Sequence, residues 1–297
     1  MTDNAKKAKI VLISGTVGII GVIFTIISDL ILLGRPESGY SFFLLPTECM
    51  TWIPGWRITL GTFLGVFMLP FQIAGLVPLY IGLRPAGKTV PAVAGLTGAH
   101  GLVMGVSFHT TYAFLAGGWK LFHSAGLQTG LSAGTGAETG AGSTTVGSSG
   151  VLVALTESAS PIAGSSGNLA AVAESANPIA GSSGNLAAVA ESTGPSVMMR
   201  DFEFYWKLII VIMVTELILL SILYVVTVLR GKSLFPKWMA VLNPAVIVAA
   251  VILILIAIPS PVGGYAAPTM LNLSNLTFFS TSSSVIYRKL KNEAVRA

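Results

Sequence analysis

The sequence predicts an all-α fold: a polytopic membrane helix bundle of about six transmembrane helices with a long low-complexity outer loop. Three observations predict it. Charged residues make up 10% of the chain and hydrophobic residues 53%, against about 25% and 45–50% in soluble domains, and the mean hydropathy is +0.79. Six apolar segments reach the roughly 20 residues a helix needs to cross the hydrocarbon. The Lys and Arg residues fall in short groups between those segments, more of them on one side.

The first segment, about residues 10–34, is too long for a signal-peptide core and reads as a span. The others lie at about 58–83, 90–117, 205–229, 236–258 and 264–287. The sixth is rich in Ser, Thr and Asn from Thr269 to Ser284. Length decides for helix throughout, because a barrel strand needs only about 9–11 residues.

With the N-terminus inside, one side carries Lys6, Lys7, Lys9, Arg84, Lys88, Arg230, Lys232, Lys237, Arg288, Lys289, Lys291 and Arg296, which is 12 of the 17 basic residues. Six spans then leave both basic termini cytoplasmic, in the orientation the positive-inside rule favours. The plasma membrane is the expected location. Trp52, Trp56, Trp119, Trp206 and Trp238 all fall in loops or near span ends, where amphipathic rings anchor at headgroups. The net charge of +5 is spread over these groups, so a nucleic-acid partner is not expected. The expected partner is the bilayer.

Three regions follow. Residues 1–127 hold the first three spans and an aromatic outer loop, 35–57, which carries the lone cysteine, Cys49. Residues 128–199 form a Gly/Ser/Ala-rich outer loop with a 17-residue repeat opening at Gly147, Gly164 and Gly181. Units without aromatic residues bury little apolar area, so the repeats (147–197) read as an expandable extracytoplasmic loop. Residues 200–297 hold the last three spans and a basic inner tail. Asn272 and Asn275 match the glycosylation pattern but lie inside the sixth segment, out of reach of glycosylation.

Charged groups in hydrocarbon cost at least about 2.5–3.5 kcal/mol at a helix centre, so Asp29, His100, His109, Glu216 and the Asn272/Asn275 pair require an explanation. Counted from the outer span ends, Asp29 lies roughly 7 Å deep, His109 roughly 9–12 Å and Asn272 roughly 12 Å; Glu216 and Asn275 lie roughly 16 Å deep and His100 roughly 22–25 Å. At about 100° per residue, His100 and His109 face opposite sides of the third segment and cannot chelate one ion. Gly101, Gly105 and His109 share one stripe; Gly21, Thr25 and Asp29 share another; Gly61 and Gly65 open the second span, with Gln72 lower down. Small residues let helices approach closely, so spans one, two and three are expected to pack together with Asp29 beside His109 and the third as central post. A carboxylate and an imidazole in low dielectric stabilise each other.

The resulting expectation is an outward-facing polar pocket of Asp29, His109, Glu216, Asn272 and Asn275 that binds or transports a small solute or lipid. A membrane-embedded lipid hydrolase and a structural anchor displaying the repeats are the alternatives. Three histidines in all, the two in spans facing apart, do not meet the three protein ligands of catalytic zinc, so no metal or cofactor is expected.

Several of these residues carry a resemblance. Ser28-Asp29-Leu30, Gly55-Trp56-Arg57 with Gly61 and Gly65, Ala99-His100 with His109, Asn243-Pro244, and Pro261-Val262-Gly263-Gly264-Tyr265 leading to Asn272 resemble a family of uncharacterised six-span integral membrane proteins. The likeness implies a helical membrane fold and no activity. It does not extend to the repeats.

Overall fold

The computed structural model describes residues 2–36, 38–40, 53–134 and 195–296. The repeats and most of the aromatic loop, with Cys49 and Trp52, lie outside the described residues. The structure is helical, and no strand occurs among the described residues.

Helix α1 (Asp3–Leu32) starts where the Thr2 hydroxyl accepts the Ala5 N–H, satisfying one of the four orphan donors of a helix start. A second rod, Gly55–Ala86, is built from α2 (Gly55–Phe67), α3 (Leu69–Ala74), α4 (Val77–Leu83) and a 3₁₀ turn at Arg84–Ala86. Pro70 and Pro78 sit in the first turns of α3 and α4, and the missing proline N–H explains why the rod breaks there. Helix α5 (Thr89–Gly134) and helix α6 (Pro195–Leu229) follow. Helix α7 (Pro244–Ala257) is capped by Asn243, whose side chain accepts the Val246 N–H at 3.2 Å. The chain closes with α8 (Val262–Ala266) and α9 (Met270–Arg296).

Four helical stretches are long and apolar enough to cross a bilayer: Asp3–Leu32, Gly55–Ala86, Thr89–Gly118 and Phe204–Leu229. They mark a membrane protein. Six full spans were expected, and the last two segments differ from that expectation. The 3₁₀ turn Lys237–Ala240 and the Asn243-Pro244 start take the beginning of the fifth, and extended Ile258 before Pro259 ends it. What remains of α7 is 14 residues, roughly 21 Å. The sixth segment breaks around Pro268, and α9 is a polar helix running out to Arg296.

The third segment was expected to be the central post. The structure gives that place to α1, which packs against α2, α3, α4 and α9. A third of its apolar window is buried (33%), against 11% in α5 and α6. The buried face of α1 runs Ala8, Val11, Gly15, Gly18, Gly21, Val22, Thr25, Ser28, Asp29 and Leu32, a helical stripe at intervals of three and four. A Cβ on Gly21 would lie 2.7 Å from the Phe71 Cβ, and one on Gly18 would strike the Gly75 backbone. The missing side chains therefore set how near the second rod lies.

Two apolar clusters make the core. The larger gathers Val11, Val22, Leu79, Tyr224, Phe235, Phe278, Phe279 and Ile286; the smaller gathers Leu32, Ile58, Tyr112, Leu115, Ala116 and Ala267, with Phe108 and Trp206 against it. Helix α1, the second rod, α5 and α6 contribute to both. Along α1 the polar residues Thr25, Ser28 and Asp29 fall between Val22 of one cluster and Leu32 of the other. Gln72 lies between Ile58 and Leu76, His109 between Leu102 and Tyr112, and Asn272 between Ala267 and Leu276. A thin polar layer thus separates two apolar layers.

Candidate functional site

The polar layer assembles around Asp29, which is 2% exposed. Its Oδ1 lies 3.0 Å from His109 Nε2 on α5, and its Oδ2 accepts from Asn272 Nδ2 on α9 at 2.7 Å. Both carboxylate oxygens are therefore engaged, by side chains from two different helices. The adjacent Ser28 hydroxyl donates to the Gly61 carbonyl at 2.5 Å. One turn earlier the Thr25 hydroxyl donates to the Gly21 carbonyl at 2.9 Å and accepts from Gln72 Nε2 at 2.5 Å. Helix-bound Ser and Thr commonly make such back-bonds. Here they leave oxygen lone pairs for a neighbouring helix.

Gly65 shapes the pocket beside His109. A Cβ there would be 2.9 Å from both His109 Nδ1 and Ser28 Oγ. His109 Nδ1 is buried and has no hydrogen-bond partner. With Nε2 serving the carboxylate, Nδ1 is the ring's remaining polar atom. A buried polar atom without a partner requires a reason.

Glu216 sits elsewhere. It was expected in the pocket with Asp29, and instead it pairs with His100 through Oε1 and the imidazole Nδ1. This pair joins α5 to α6 and is more open, with side-chain exposures of 53% for His100 and 17% for Glu216. Glu216 Oε2 is buried without a partner, 3.3 Å from where a Cβ on Gly101 would lie. The reason for the difference is geometric. Both α5 and α6 continue past the outer ends of their apolar segments, so depths counted from those ends do not compare. Counted from the inner ends, Thr89 to His100 is 11 residues and Glu216 to Leu229 is 13, roughly 16 and 20 Å, which would have paired them. Asn275 is half-buried and takes no part in either set of contacts. Helix phase did place the two histidines on opposite faces of α5, and the structure turns them to different partners. Among the described residues, no group of three or more His, Cys, Asp or Glu is spaced to hold a metal ion.

At the C-terminal end of α1, Arg57 closes the layer. Its guanidinium donates to the carbonyls of Ile31 at 2.6 Å, Gly34 at 2.5 Å and Leu30 at 3.4 Å. Leu30 and Ile31 belong to the last turn of α1, whose carbonyls lack intrahelical partners, and Gly34 lies just past the Leu33 cap; a cation there also suits the helix dipole. In the sequence Arg57 stands out only within the Gly55-Trp56-Arg57 resemblance, and nothing in its spacing identifies the acceptors.

No match was found among curated proteins or among solved structures. The model of a family of unknown function, DUF6796, matches residues 1–139 and 186–289. That match includes every residue of the polar layer and both histidine pairs, and it skips most of the repeats. The chain is thus a member of DUF6796, a family of unknown function.

Proposed function

We propose that the chain is a multi-pass membrane protein that binds or transports a small polar solute or a lipid headgroup at the Asp29–His109–Asn272 layer. One observation carries the reading: a buried carboxylate–imidazole pair whose outer ring nitrogen, His109 Nδ1, has no protein partner. A purely structural clasp has no need to leave that atom unsatisfied, since such an atom costs about 1–3 kcal/mol. A solute donor or acceptor beside Gly65 would complete it.

In this reading the basic end is cytoplasmic, both termini lie on that side and the repeat segment is extracytoplasmic. The contact of Asn4 with Glu293 at 3.3 Å supports termini on one side. The His100–Glu216 pair forms a second polar station, deeper along α5 and open to the bundle surface. Glu216 and Asn275 stand outside the first layer, so the pocket core is Asp29, His109 and Asn272.

Thermal shift of the purified protein against amino acids, sugars and phospholipids tests the proposal. A stabilising compound should lose its effect in Asp29→Asn and His109→Gln while both variants remain folded. A compound that stabilises both variants as well as the native chain would place binding elsewhere.

A further inference from the structure

One end of the bundle carries a charge pattern that the pocket does not use. The twelve basic residues that the sequence assigns to the inner side are all exposed. They come from the start of α1, the end of the second rod, the α6–α7 connection and the last turns of α9. Three contacts bring those four segments together. The Leu234 N–H donates to the Gly82 carbonyl at 2.7 Å, Lys289 Nζ donates to the Leu234 carbonyl at 3.2 Å, and Asn4 bonds Glu293. Phe235 fills the notch at Gly82 against Ile286 and fixes the connection in place.

Opposing acids are few. Asp3 and Glu293 are the acidic residues of these four segments; Asp3 pairs with Lys7 at 2.5 Å, and Glu293 accepts from Asn4. The side chains of Lys232, Lys237 and Arg288 have no ion-pair or hydrogen-bond partner among the described residues. At the other end four cations are engaged by protein: Arg57 holds carbonyls at the end of α1, Lys120 donates to the Ile53 carbonyl, and Arg35 and Lys207 also have partners. Trp238 stands beside Lys237 on the basic end and is 55% exposed, a position suited to headgroup depth.

We infer that this end is a binding face for anionic phospholipids, with Lys232, Lys237, Arg288 and Lys289 as its centre and Trp238 as its interfacial anchor. Clustered Lys and Arg beside spanning helices are attracted to anionic headgroups, each adding a comparable increment near the surface. Lys232, Lys237 and Arg288 are exposed and unpaired and Lys289 is exposed with one carbonyl contact, so they can release their hydration to phosphate, whereas Arg57 and Lys120 are only half-exposed and committed to carbonyls. Such binding requires that the bundle lie in a membrane, as in the function proposed above, and does not require the Asp29 pocket.

The test is lipid retention by the full-length protein in detergent, read by native mass spectrometry, with phosphatidylglycerol against phosphatidylcholine. The native chain should prefer phosphatidylglycerol by about tenfold, and rising salt should erase the preference. A combined Lys232→Gln, Lys237→Gln, Arg288→Gln and Lys289→Gln variant should lose most of it. A charge-preserving Lys232→Arg, Lys237→Arg and Lys289→Arg variant should keep it, as should Asp29→Asn. Equal retention of the two lipids, a preference insensitive to salt, or displacement of the lipid by inorganic phosphate at constant ionic strength would overturn the inference. Should the Gln variant fail to fold, the salt titration and the Arg variant decide alone. Loss of preference in Asp29→Asn would assign the lipid to the pocket instead.

Discussion

Helix α5 carries two histidine–carboxylate pairs nine residues apart, and they sit in opposite surroundings. The side chains of His109 and Asp29 are 8% and 3% exposed and joined by Asn272, between two apolar clusters. His100 and Glu216 are 53% and 17% exposed and join α5 to α6 at the surface of the bundle. The chemistry is the same, but the consequences of breaking each pair are not. A buried pair that loses one partner leaves a polar group stranded without solvent. An open pair loses a contact and little else.

The largest expected effect is at Asp29. Replacement by Ala removes the acceptor of both His109 and Asn272 and should lower stability in detergent by about 3–5 kcal/mol, read from a denaturant or thermal midpoint. Next comes Gly65→Ala. Its new methyl would meet His109 Nδ1 and Ser28 Oγ at 2.9 Å, and overpacking of that kind costs about 1–3 kcal/mol. Glu216→Gln should cost about 0.6 kcal/mol, the average for a polar contact between membrane helices. Gly105→Ala is the control, because nothing lies within 4 Å of its Cβ position; it should change stability by less than about 1 kcal/mol and in the stabilising direction. If Glu216→Gln proved as damaging as Asp29→Ala, exposure would not be what separates the two pairs.

Much of the buried pair was legible in the sequence. Similar depth placed Asp29 beside His109, and the Gly61 and Gly65 spacing pointed to the approach of the second rod; the Gly101 and Gly105 stripe expected to pack there instead meets Glu216 at Gly101 and nothing within 4 Å at Gly105. These are local regularities of a straight helix, and α1 is straight enough to obey them. The partner of Glu216 was not legible, since its depth depends on where α5 and α6 end, and both outrun their apolar segments. The central position of α1 was hidden for a related reason. Polar groups on both faces of α5 suggested burial on both faces, yet His100 is half-open. The short α7 and the polar α9 follow from Pro244, Pro259 and Pro268, whose effect on continuity outweighs hydropathy summed over a window.

The Arg57 grip on the last carbonyls of α1 also bears on motion. Three hydrogen bonds tie the C-terminal end of α1 to the start of α2, while glycine contacts bind α1 to the second rod further back along the helix. These elements can shift only as one body. Helices α5 and α6 are less buried, at 11% of their apolar windows against 33% in α1. Any opening of the polar layer would therefore run along the seam between that body and α5, with the Asp29–His109 pair as its latch.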